Sequence, residues 1–442
     1  MSEDHFYVLP PRPEWLDGVP QLGIWQPLTS VPKIWAARHF VEQLFASGTN
    51  QLIETKATKL RKGIKCVLQE DILNAGGQHV ILKTRFADGV VWLARIRFPR
   101  CPVLDHECVG GFRDYATAAK VMESEIATMQ LVASKTQVPV PRVFGYELGP
   151  NNGIGGPCMF MEMVEGETLE NHIRKQGGIW GNQVRHILDQ MVPLAFELST
   201  IKFDGIGRLQ FGKLPNTLDL VSYNELSAPP FENAFQYLED RINCHGASTE
   251  LNEVSDGSRL EWTEANMQQK QVMAKSIYQC AAERLMKGAE PGPFPLQHMD
   301  LNQQNVIVDS ACNVVAIIDW EHSGTRPYEV VDIYLCKLFR QSWQRWEGLD
   351  WIEGYIWHMF ADMEIRFCST PRLSMVVKSR IGRLGRVLHG PVNPIQFVEQ
   401  IGDLIRLLDD EFRIEAQTIV PLSITRQILG TSMHVQCNLQ RV

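Results

Sequence analysis

The stretch 298–319 constrains the fold of this chain more than any other part of the sequence. It contains His298, Asp300 and Asn305 in the pattern H-x-D-x-x-x-x-N, and it ends at Asp319. One imidazole, two carboxylates and one amide therefore fall on short loops between strand-like runs. Such a set of side chains indicates a site that handles charge and protons.

Two apolar runs in this stretch have the pattern of a β-hairpin. Residues 306–308 and 314–318 are rich in valine and isoleucine, and a polar turn separates them. Asn305 comes just before the first predicted strand, and Asp319 comes at the end of the second. We therefore expect both side chains at one end of a small sheet.

Phosphoryl transfer explains why these residue types occur together. The reaction needs little covalent help from a protein, but it needs a carboxylate near the acceptor hydroxyl and oxygen ligands for Mg²⁺ between the phosphates of ATP. Asp300 suits the first task, whereas Asn305 and Asp319 suit the second. We expect His298 to hold the catalytic loop through hydrogen bonds rather than to touch substrate.

This stretch resembles the catalytic loop of the kinase superfamily, and within it the aminoglycoside phosphotransferase and choline kinase-like family. In that family the H-x-D loop is followed by an Ile-Asp-Trp-Glu segment, which stands here at 318–321. The resemblance covers about residues 65–400. It implies an α+β, two-lobed protein kinase-like fold, with a small antiparallel β-sheet N-lobe that has one helix and a larger, mainly helical C-lobe.

The resemblance also divides the chain into three parts. Residues 1–60 form an N-terminal extension with a helix near 33–47, residues 61–164 form the N-lobe, and residues 165–442 form the C-lobe with the acceptor site. Further helices are expected at 169–175, 183–201, 263–286, 328–340, 343–367, 380–388 and 394–418. The remaining stretch of the C-lobe, 202–260, is expected to be irregular.

A glycine turn in the N-lobe is a candidate phosphate site. Three strands are expected at 66–73, 80–86 and 90–98. Gly76 and Gly77 lie between the first two, and glycine lets backbone N–H groups approach a phosphate closely. The resemblance implies that this turn binds the nucleotide, and the alternative is a tight turn without a ligand.

The third strand carries two arginines. The resemblance places Arg95 where the family grips the ATP phosphates with a cation. Arg97 points to the same face because side chains alternate along a strand, and it is the alternative phosphate ligand. A solvated charge on a strand edge is the alternative reading of both. The family holds its cation with a glutamate on the next helix, expected at 115–135, where Glu125 is our first choice and Glu123 the second.

The resemblance places the adenine contacts after the last N-lobe strand, expected near 158–163. Backbone groups around Glu162 and Val164 would pair with the edge of the adenine ring. Side-chain identity matters little for such contacts.

Net charge and hydropathy limit the partners. The 442-residue chain carries a formal net charge of −8, which argues against binding to nucleic acid or to anionic membranes. No apolar run approaches the roughly 20 residues of a membrane span. The first 16 residues carry acidic side chains and no apolar core, so we expect no signal peptide and a cytoplasmic protein.

The function expected from these features is ATP- and Mg²⁺-dependent transfer of a phosphoryl group to a hydroxyl of a small molecule, such as an amino alcohol, a sugar or a natural product. No long activation segment with an Ala-Pro-Glu signature follows Asp319, so space beside Asp300 is left for a small acceptor. The resemblance suggests acidic side chains at the acceptor, and Glu321, Glu329 and Asp362 are candidates. The alternatives are a pseudokinase-like binding or scaffold protein and an ATP-using ligase or nucleotidyl transferase.

Overall fold

The computed structural model describes residues 31–76, 78–99, 112, 114–178, 181–214, 217–223, 228–247, 292–328 and 349–367. Within them, one antiparallel sheet of five strands dominates the N-terminal half. Its strands are β1 (Cys66–Ala75), β2 (His79–Phe86), β3 (Val91–Arg97), β4 (Val143–Glu147) and β5 (Cys158–Glu162). Their spatial order is β1-β2-β3-β5-β4.

The hairpins of this sheet follow from local turn chemistry. Gly89 lies between β2 and β3 with a φ of 88°, a conformation that glycine adopts without a steric penalty. Its N–H donates to the carbonyl of Phe86 at 3.0 Å. The β2–β3 register then sets Ile81 opposite Arg95 and His79 opposite Arg97. This register brings both arginines to the start of β2.

Three helices pack on the sheet. They are α1 (Val31–Ala46), α2 (Thr49–Leu60) and α3 (Tyr115–Lys135). Phe40, Leu44 and Ile53 of the first two helices share one buried cluster with Leu82 and Ile96 of the sheet. Residues 31–60 therefore contribute to the core of the N-lobe, whereas α3 is the helix that the sequence predicts for this lobe.

Helix α3 begins where the sequence predicts. Asp114 caps it, because the carboxylate accepts hydrogen bonds from the backbone N–H groups of Ala116 and Thr117. The buried side of the helix includes Met122, Glu125 and Met129. Glu125 is thus a buried carboxylate on this helix, and it contacts Arg95 of the sheet.

The C-terminal half contains helices and short strands. The helices are α4 (Leu169–Lys175), α5 (Gly181–Ser199), α6 (Ala234–Ala247) and α7 (Leu349–Phe367). The strands are β6 (Glu167–Thr168), β7 (Lys202–Phe203), β8 (Arg208–Phe211), β9 (Leu218–Val221), β10 (Phe294–Gln297), β11 (Val306–Val308), β12 (Val314–Ile317) and β13 (Gly324–Thr325). This two-lobed α+β arrangement confirms the predicted protein kinase-like fold.

Helix α5 supports the strands that carry the catalytic loop. Its residues Leu188 and Met191 lie in one buried cluster with Leu296 of β10, Val306 of β11 and Trp320. The apolar repeat along α5 therefore faces the base of the site. Among the described residues, no helix has the length and hydrophobicity needed to cross a bilayer.

Some expectations for the C-lobe are wrong or lie outside the described residues. The expectation of irregular structure over 202–260 is wrong where that range is described, because it contains β7, β8, β9 and α6. Strands of two to four residues are too short for an alternating pattern to be visible in the sequence. The helices expected at 263–286, 380–388 and 394–418 lie outside the described residues. Of the helix expected at 328–340, only Tyr328 is described.

Gly207 permits a close contact between β8, β9 and β13. Its N–H donates to the Thr325 hydroxyl at 2.9 Å, and the Thr325 N–H donates back to the Gly207 carbonyl at 2.8 Å. A Cβ at Gly207 would lie 2.0 Å from the carbonyl oxygen of Val221.

Alanine at this position should therefore destabilise the protein. We expect Gly207→Ala to lower the free energy of unfolding by about 1–3 kcal/mol, since backbone must move to make room. Urea denaturation measures the effect, with Gly181→Ala as the control because a Cβ there meets nothing within 4 Å. Equal stability of the two variants would show that the contact is not tight in solution.

Candidate active site

His298 ties the catalytic loop to the segment that leads to Asp319. The Nε2 of His298 lies 2.9 Å from the carbonyl oxygen of Ile318, so this nitrogen donates. The Nδ1 accepts the backbone N–H of Asp300 at 3.4 Å. Its ring also meets the Trp320 ring edge-on, with the centroids 4.6 Å apart. These contacts place His298 in the holding position expected from the sequence.

The His298 ring is neutral in this position. Burial lowers its pKa to about 4, although the carboxylates of Asp319 and Asp300 and the hydrogen bond to Ile318 favour the charged form. A neutral imidazole fits the contacts, because one nitrogen donates and the other accepts.

The buried neutral imidazole makes a pH-dependent contribution to stability. Between pH 6.5 and about 4 the unfolded chain binds a proton at His298 and the folded chain does not, so the free energy of unfolding falls as the pH falls through this window. The contribution is fully present above pH 6.5. Gln in place of His298 keeps an amide donor and does not titrate. The stability advantage of the wild-type protein over His298→Gln should therefore shrink from pH 7 to pH 4 in denaturation experiments, and a constant difference would contradict a neutral ring.

Asn302 and Asn305 hold the Asp300 carboxylate. The Nδ2 of Asn305 donates to the Asp300 carbonyl at 2.7 Å and to Oδ2 at 3.1 Å. The Nδ2 of Asn302 donates to Oδ1 at 3.1 Å. Asp300 is half-buried. Because Asn305 uses its nitrogen in these contacts, its amide oxygen is left for a cation.

The predicted hairpin is confirmed, and it brings Asn305 and Asp319 to one end of the small sheet. Strands β11 and β12 pair with Val306 opposite Ile317, and the Ile318 N–H donates to the Asn305 carbonyl at 2.9 Å. Asp319 then adopts left-handed backbone angles (φ 65°), which turn the chain into a 3₁₀ turn over Trp320–His322.

Arg95 is the centre of a buried ion-pair network. Its Nη1 lies 2.9 Å from Glu125 Oε1, and its Nη2 lies 2.6 Å from Asp319 Oδ1. The structure thus pairs Arg95 with Glu125, the first choice from the sequence. Glu123 instead accepts the Phe211 N–H at 3.3 Å. Solvated strand-edge charge is the wrong reading of the two arginines, because both Arg95 and Arg97 are buried.

The charges of this network shift each other's pKa values. Burial alone would lower the pKa of Arg95, but the carboxylates of Glu125, Asp319 and Glu321 outweigh it and raise the pKa. Burial would raise the pKa of Asp319, but Arg95 lowers it below its ordinary value. Burial raises the pKa of Glu125 above its ordinary value, although Arg95 opposes the shift. Arg95 therefore stays charged and Asp319 stays ionised.

Glu321 faces the N-lobe rather than the space beside Asp300. Its carboxylate lies 3.3 Å from Arg97 Nη2, 3.4 Å from His79 Nε2 and 3.5 Å from Arg95 Nη2. This position differs from the acceptor role expected for it, since the carboxylate joins the segment after Asp319 to the sheet. Arg97 also donates to the Oε1 of Gln78.

The other two acceptor candidates gain no support from the described residues. Asp362 lies on α7 and pairs with Arg366 of the same helix at 2.7 Å. Glu329 lies outside the described residues.

The structure describes part of the backbone that is predicted to bind the nucleotide. The Gly76 N–H donates to the carbonyl of His79 at 2.9 Å, so it closes the turn between β1 and β2, while Gly77 lies outside the described residues. The Glu162 N–H donates to the Arg142 carbonyl at 2.8 Å. This leaves the Glu162 carbonyl and the Val164 N–H for an adenine edge, which stays a prediction.

Sequence reasoning missed three members of the site. His79 and Gln78 reach the arginines from the start of β2, and Arg208 donates from Nη1 to the Glu321 carbonyl at 2.9 Å. The one sequence signal for Arg208 is its place directly after the Gly205-Ile206-Gly207 segment, which allows β8 to approach closely.

One cluster of potential metal ligands lies inside the ion-pair network. In the described part of the chain, ligand atoms of His79, Glu125 and Glu321 lie within 4.8 Å of one another. The Arg95 guanidinium contacts both carboxylates. A cation is already present there, so we interpret this cluster as ion pairs rather than as a metal centre.

Comparison with known proteins assigns the family. The model of the phosphotransferase enzyme family matches residues 111–361, which is more than half of the chain. The chain belongs to this family. The matched residues include α3, the catalytic loop and Asp319, whereas the glycine turn and Arg95 precede them. Membership confirms the resemblance seen in the sequence and supports a kinase-type transferase.

The relatives with curated names are distant. A subtelomeric hrmA-associated cluster protein of Aspergillus fumigatus is 28% identical over 141 residues, which are 32% of this chain and 24% of that protein. The mitochondrial protein "altered inheritance of mitochondria protein 9" of Clavispora lusitaniae is 23% identical over 269 residues, 49% of this chain and 43% of that protein. The matches span less than half the length of either relative.

A solved phosphotransferase structure resembles the chain at low identity. Spectinomycin phosphotransferase, in complex with ADP and spectinomycin, is 12% identical, with a TM-score of 0.37. The match covers 85% of this chain and 97% of that one.

Proposed function

We propose that this protein is an ATP- and Mg²⁺-dependent phosphotransferase that acts on a hydroxyl group of a small molecule. The observation that carries the proposal is the junction of the two lobes at Asp319. Its carboxylate contacts Arg95 of β3 at 2.6 Å. Asp319 follows the second strand of the hairpin, and Asn305, which precedes the first strand, contacts Asp300. Family membership supports the reaction class.

The donor atoms suit Mg²⁺. Mg²⁺ prefers carboxylate and amide oxygens, and Asp319 and Asn305 provide one of each. The lowered pKa of Asp319 keeps it ionised, and its side chain is about one-third exposed (35%), so a metal–nucleotide complex can reach it. When bound there, Mg²⁺ supplies positive charge that offsets the negative charge of the phosphates.

Each side chain of the site has a role in this reaction. Asp300, held by two asparagines, orients the acceptor hydroxyl and accepts its proton. Arg95 provides a guanidinium for phosphate oxygens, and Glu125 holds that guanidinium. We assign the backbone N–H groups of Gly76 and Gly77 to the phosphates, and backbone groups of Glu162 and Val164 to the adenine.

The bond changes of the transfer balance. A bond forms between the acceptor oxygen and the γ-phosphorus, and the bond between that phosphorus and the β–γ bridging oxygen breaks. The acceptor proton passes to Asp300 and then to solvent, and ADP leaves with the bridging oxygen.

Removal of the Asp319 charge should weaken Mg²⁺·ATP binding. We expect Asp319→Asn to raise the Kd for Mg²⁺·ATP by at least about tenfold. Mutation of a residue that only hydrogen-bonds to a metal ligand already lowers metal affinity by about 10- to 100-fold, and Asp319 is assigned as a ligand itself. Isothermal titration with ATP, with and without Mg²⁺, measures this. Asp71→Asn is the control, since Asp71 is exposed on β1. An unchanged Kd would contradict the metal role of Asp319.

A metabolite screen tests the function. Purified protein, ATP and Mg²⁺ are incubated with a cell extract, and mass spectrometry detects a compound that gains one phosphoryl group while ADP forms. AMP in place of ADP would indicate the ligase or nucleotidyl transferase alternative. Mg²⁺-dependent nucleotide binding without turnover of any compound would indicate the pseudokinase alternative. The cytoplasmic location stays a prediction, since the name of one curated relative places that relative in mitochondria.

A further inference from the structure

The β8–β9 hairpin packs behind the catalytic loop through its glycines. The Thr325 hydroxyl donates to the Gly205 carbonyl at 2.8 Å, and the Thr325 N–H donates to the Gly207 carbonyl at 2.8 Å. Thr325 lies shortly after Asp319 in the chain. The hairpin therefore places the next residue, Arg208, next to the segment that follows the metal ligand.

Arg208 is a cation without a carboxylate partner among the described residues. Its Nη1 donates to the Glu321 backbone carbonyl at 2.9 Å, whereas the Glu321 carboxylate lies against Arg95 and Arg97. The Nε of Arg208 is buried and has no hydrogen-bond partner. Burial lowers its pKa, Tyr223 and Glu321 oppose this shift, and the charges of Arg97 and Arg326 add to it. A guanidinium N–H that is enclosed without an acceptor costs free energy, and an anionic oxygen placed against it would offset that cost.

Tyr223 connects Arg208 to the catalytic loop. The Arg208 guanidinium lies 5.7 Å from the centroid of the Tyr223 ring. The Tyr223 hydroxyl lies 2.6 Å from the Thr325 carbonyl and 3.3 Å from the sulfur of Met299, the residue before Asp300. Both Arg208 and Tyr223 are half-buried as whole residues, although the Nε of Arg208 is enclosed.

Gln297 adds an unsatisfied amide to the same face. Gln297 of β10 pairs with Gly324 of β13, and side chains of paired residues point to the same face of a sheet. A Cβ at Gly324 would lie 2.4 Å from the Tyr223 hydroxyl, so this is the Tyr223 face. The Gln297 side-chain oxygen and nitrogen are both buried without a hydrogen-bond partner, and the residue is 8% exposed.

We propose that Arg208, Tyr223 and Gln297 form a subsite for an anionic group of the acceptor, so that the substrate is a hydroxyl compound that carries a carboxylate or a phosphate ester. The proposal rests on the function proposed above and deepens it. The Arg208 guanidinium and the Gln297 amide are donors of the kind that bind anionic oxygens, whereas the Tyr223 hydroxyl already donates to the Thr325 carbonyl and holds its ring beside Arg208.

The charge balance of the cluster favours an anion over an amine. An amine would need a carboxylate, and in the described part of the chain the nearby carboxylates are already engaged: Glu321 by Arg95 and Arg97, and Asp300 by its asparagines. Arg326 is buried and close enough to Arg208 to lower its pKa. The acidic acceptor contacts suggested by the resemblance are thus replaced, on this side of the loop, by basic ones.

Binding with the nucleotide site filled tests the subsite. The full chain is saturated with Mg²⁺·ADP, which covers the phosphate-binding cations, and is titrated with three panels: hydroxy acids, phosphorylated sugars or alcohols, and amino alcohols including aminoglycosides. We expect binding from the first or second panel, and the panel that binds separates carboxylate from phosphate recognition. Binding from the amino alcohols alone, or from no panel, would overturn the proposal.

Variants separate a direct contact from a structural effect. Arg208→Gln should lower the affinity for the anionic ligand that binds best by about tenfold or more, and Arg208→Lys should lower it less. Neither substitution should weaken the binding of a neutral analogue, such as the methyl ester of a hydroxy acid. Arg85→Gln, at the far end of β2 and exposed, is the control. Equal losses for the acid and its ester would overturn the proposal.

The two proposals fail in different ways. If the wild-type protein does not bind Mg²⁺·ADP, the result counts against the phosphotransferase function. Titration of the three panels without nucleotide then tests the subsite. Normal Mg²⁺·ADP binding and turnover with only neutral or cationic acceptors would overturn the anionic subsite alone.

Discussion

Asp300→Asn is expected to lower kcat by about 100- to 10,000-fold, the range over which a positioned proton acceptor contributes. The substitution keeps the size of the side chain and one oxygen that can accept a hydrogen bond from Asn302 or Asn305. The hydrogen bond from Asn305 to the backbone carbonyl of residue 300 (2.7 Å) does not involve the changed side chain, so the loop should keep its shape. Nucleotide affinity should change little, because Asp300 is assigned to the acceptor and not to the phosphates. Coupled ADP release with the acceptor from the screen measures the loss.

The comparison for Asp300→Asn is Asp71→Asn, which removes the same charge from an exposed position on β1. The control should keep wild-type turnover and ATP affinity. Persistent turnover by Asp300→Asn would show that another group accepts the proton, and a parallel loss of ATP affinity would show that the residue acts on the nucleotide.

Arg95→Met should reduce the free energy of unfolding by about 3–5 kcal/mol and remove turnover. It leaves the carboxylates of Glu125, Asp319 and Glu321 near one another without the guanidinium that contacts all three. Breaking a buried ion pair by removal of one partner has a cost of this size, because the remaining charge is uncompensated. Urea denaturation with ADP-release assays measures both effects.

A second substitution separates the stability effect of Arg95 from its effect on turnover. Glu125→Leu in the Arg95→Met background removes the most buried of the three carboxylates and should recover part of the stability, whereas turnover should stay lost because the phosphate cation is absent. Arg85→Met is the surface control and should change neither quantity appreciably. Wild-type stability in Arg95→Met would mean that the network is not formed in solution.

Local patterns predicted the parts of the fold in which sequence and geometry are directly linked. The hairpin between Asn305 and Asp319 follows from two apolar runs around a polar turn, and the helix expected at 115–135 has the bounds of α3. Strand alternation placed Arg95 and Arg97 on one face, where both contact Glu321. Short-range rules suffice for each of these features.

The remaining features depend on contacts between distant segments. Glu321 turns toward the N-lobe because His79, Arg95 and Arg97 converge there, and their convergence arises from the β2–β3 register together with lobe packing. Strands β7 and β13 have two residues each and exist because they pair with β10. The unpartnered amide of Gln297 is visible only once its neighbours are placed. None of these facts leaves a periodic signal in the sequence.

The most direct test of the central claim is the position of a metal ion bound with a non-hydrolysable ATP analogue. Crystals grown with Mn²⁺ in place of Mg²⁺ reveal the metal by anomalous scattering. The account predicts a peak about 2.0–2.3 Å from oxygens of Asp319 and Asn305, with the nucleotide phosphates on its other side and Arg95 beside them. A metal bound instead by His79, Glu125 and Glu321, or a nucleotide away from Asp300, would contradict it.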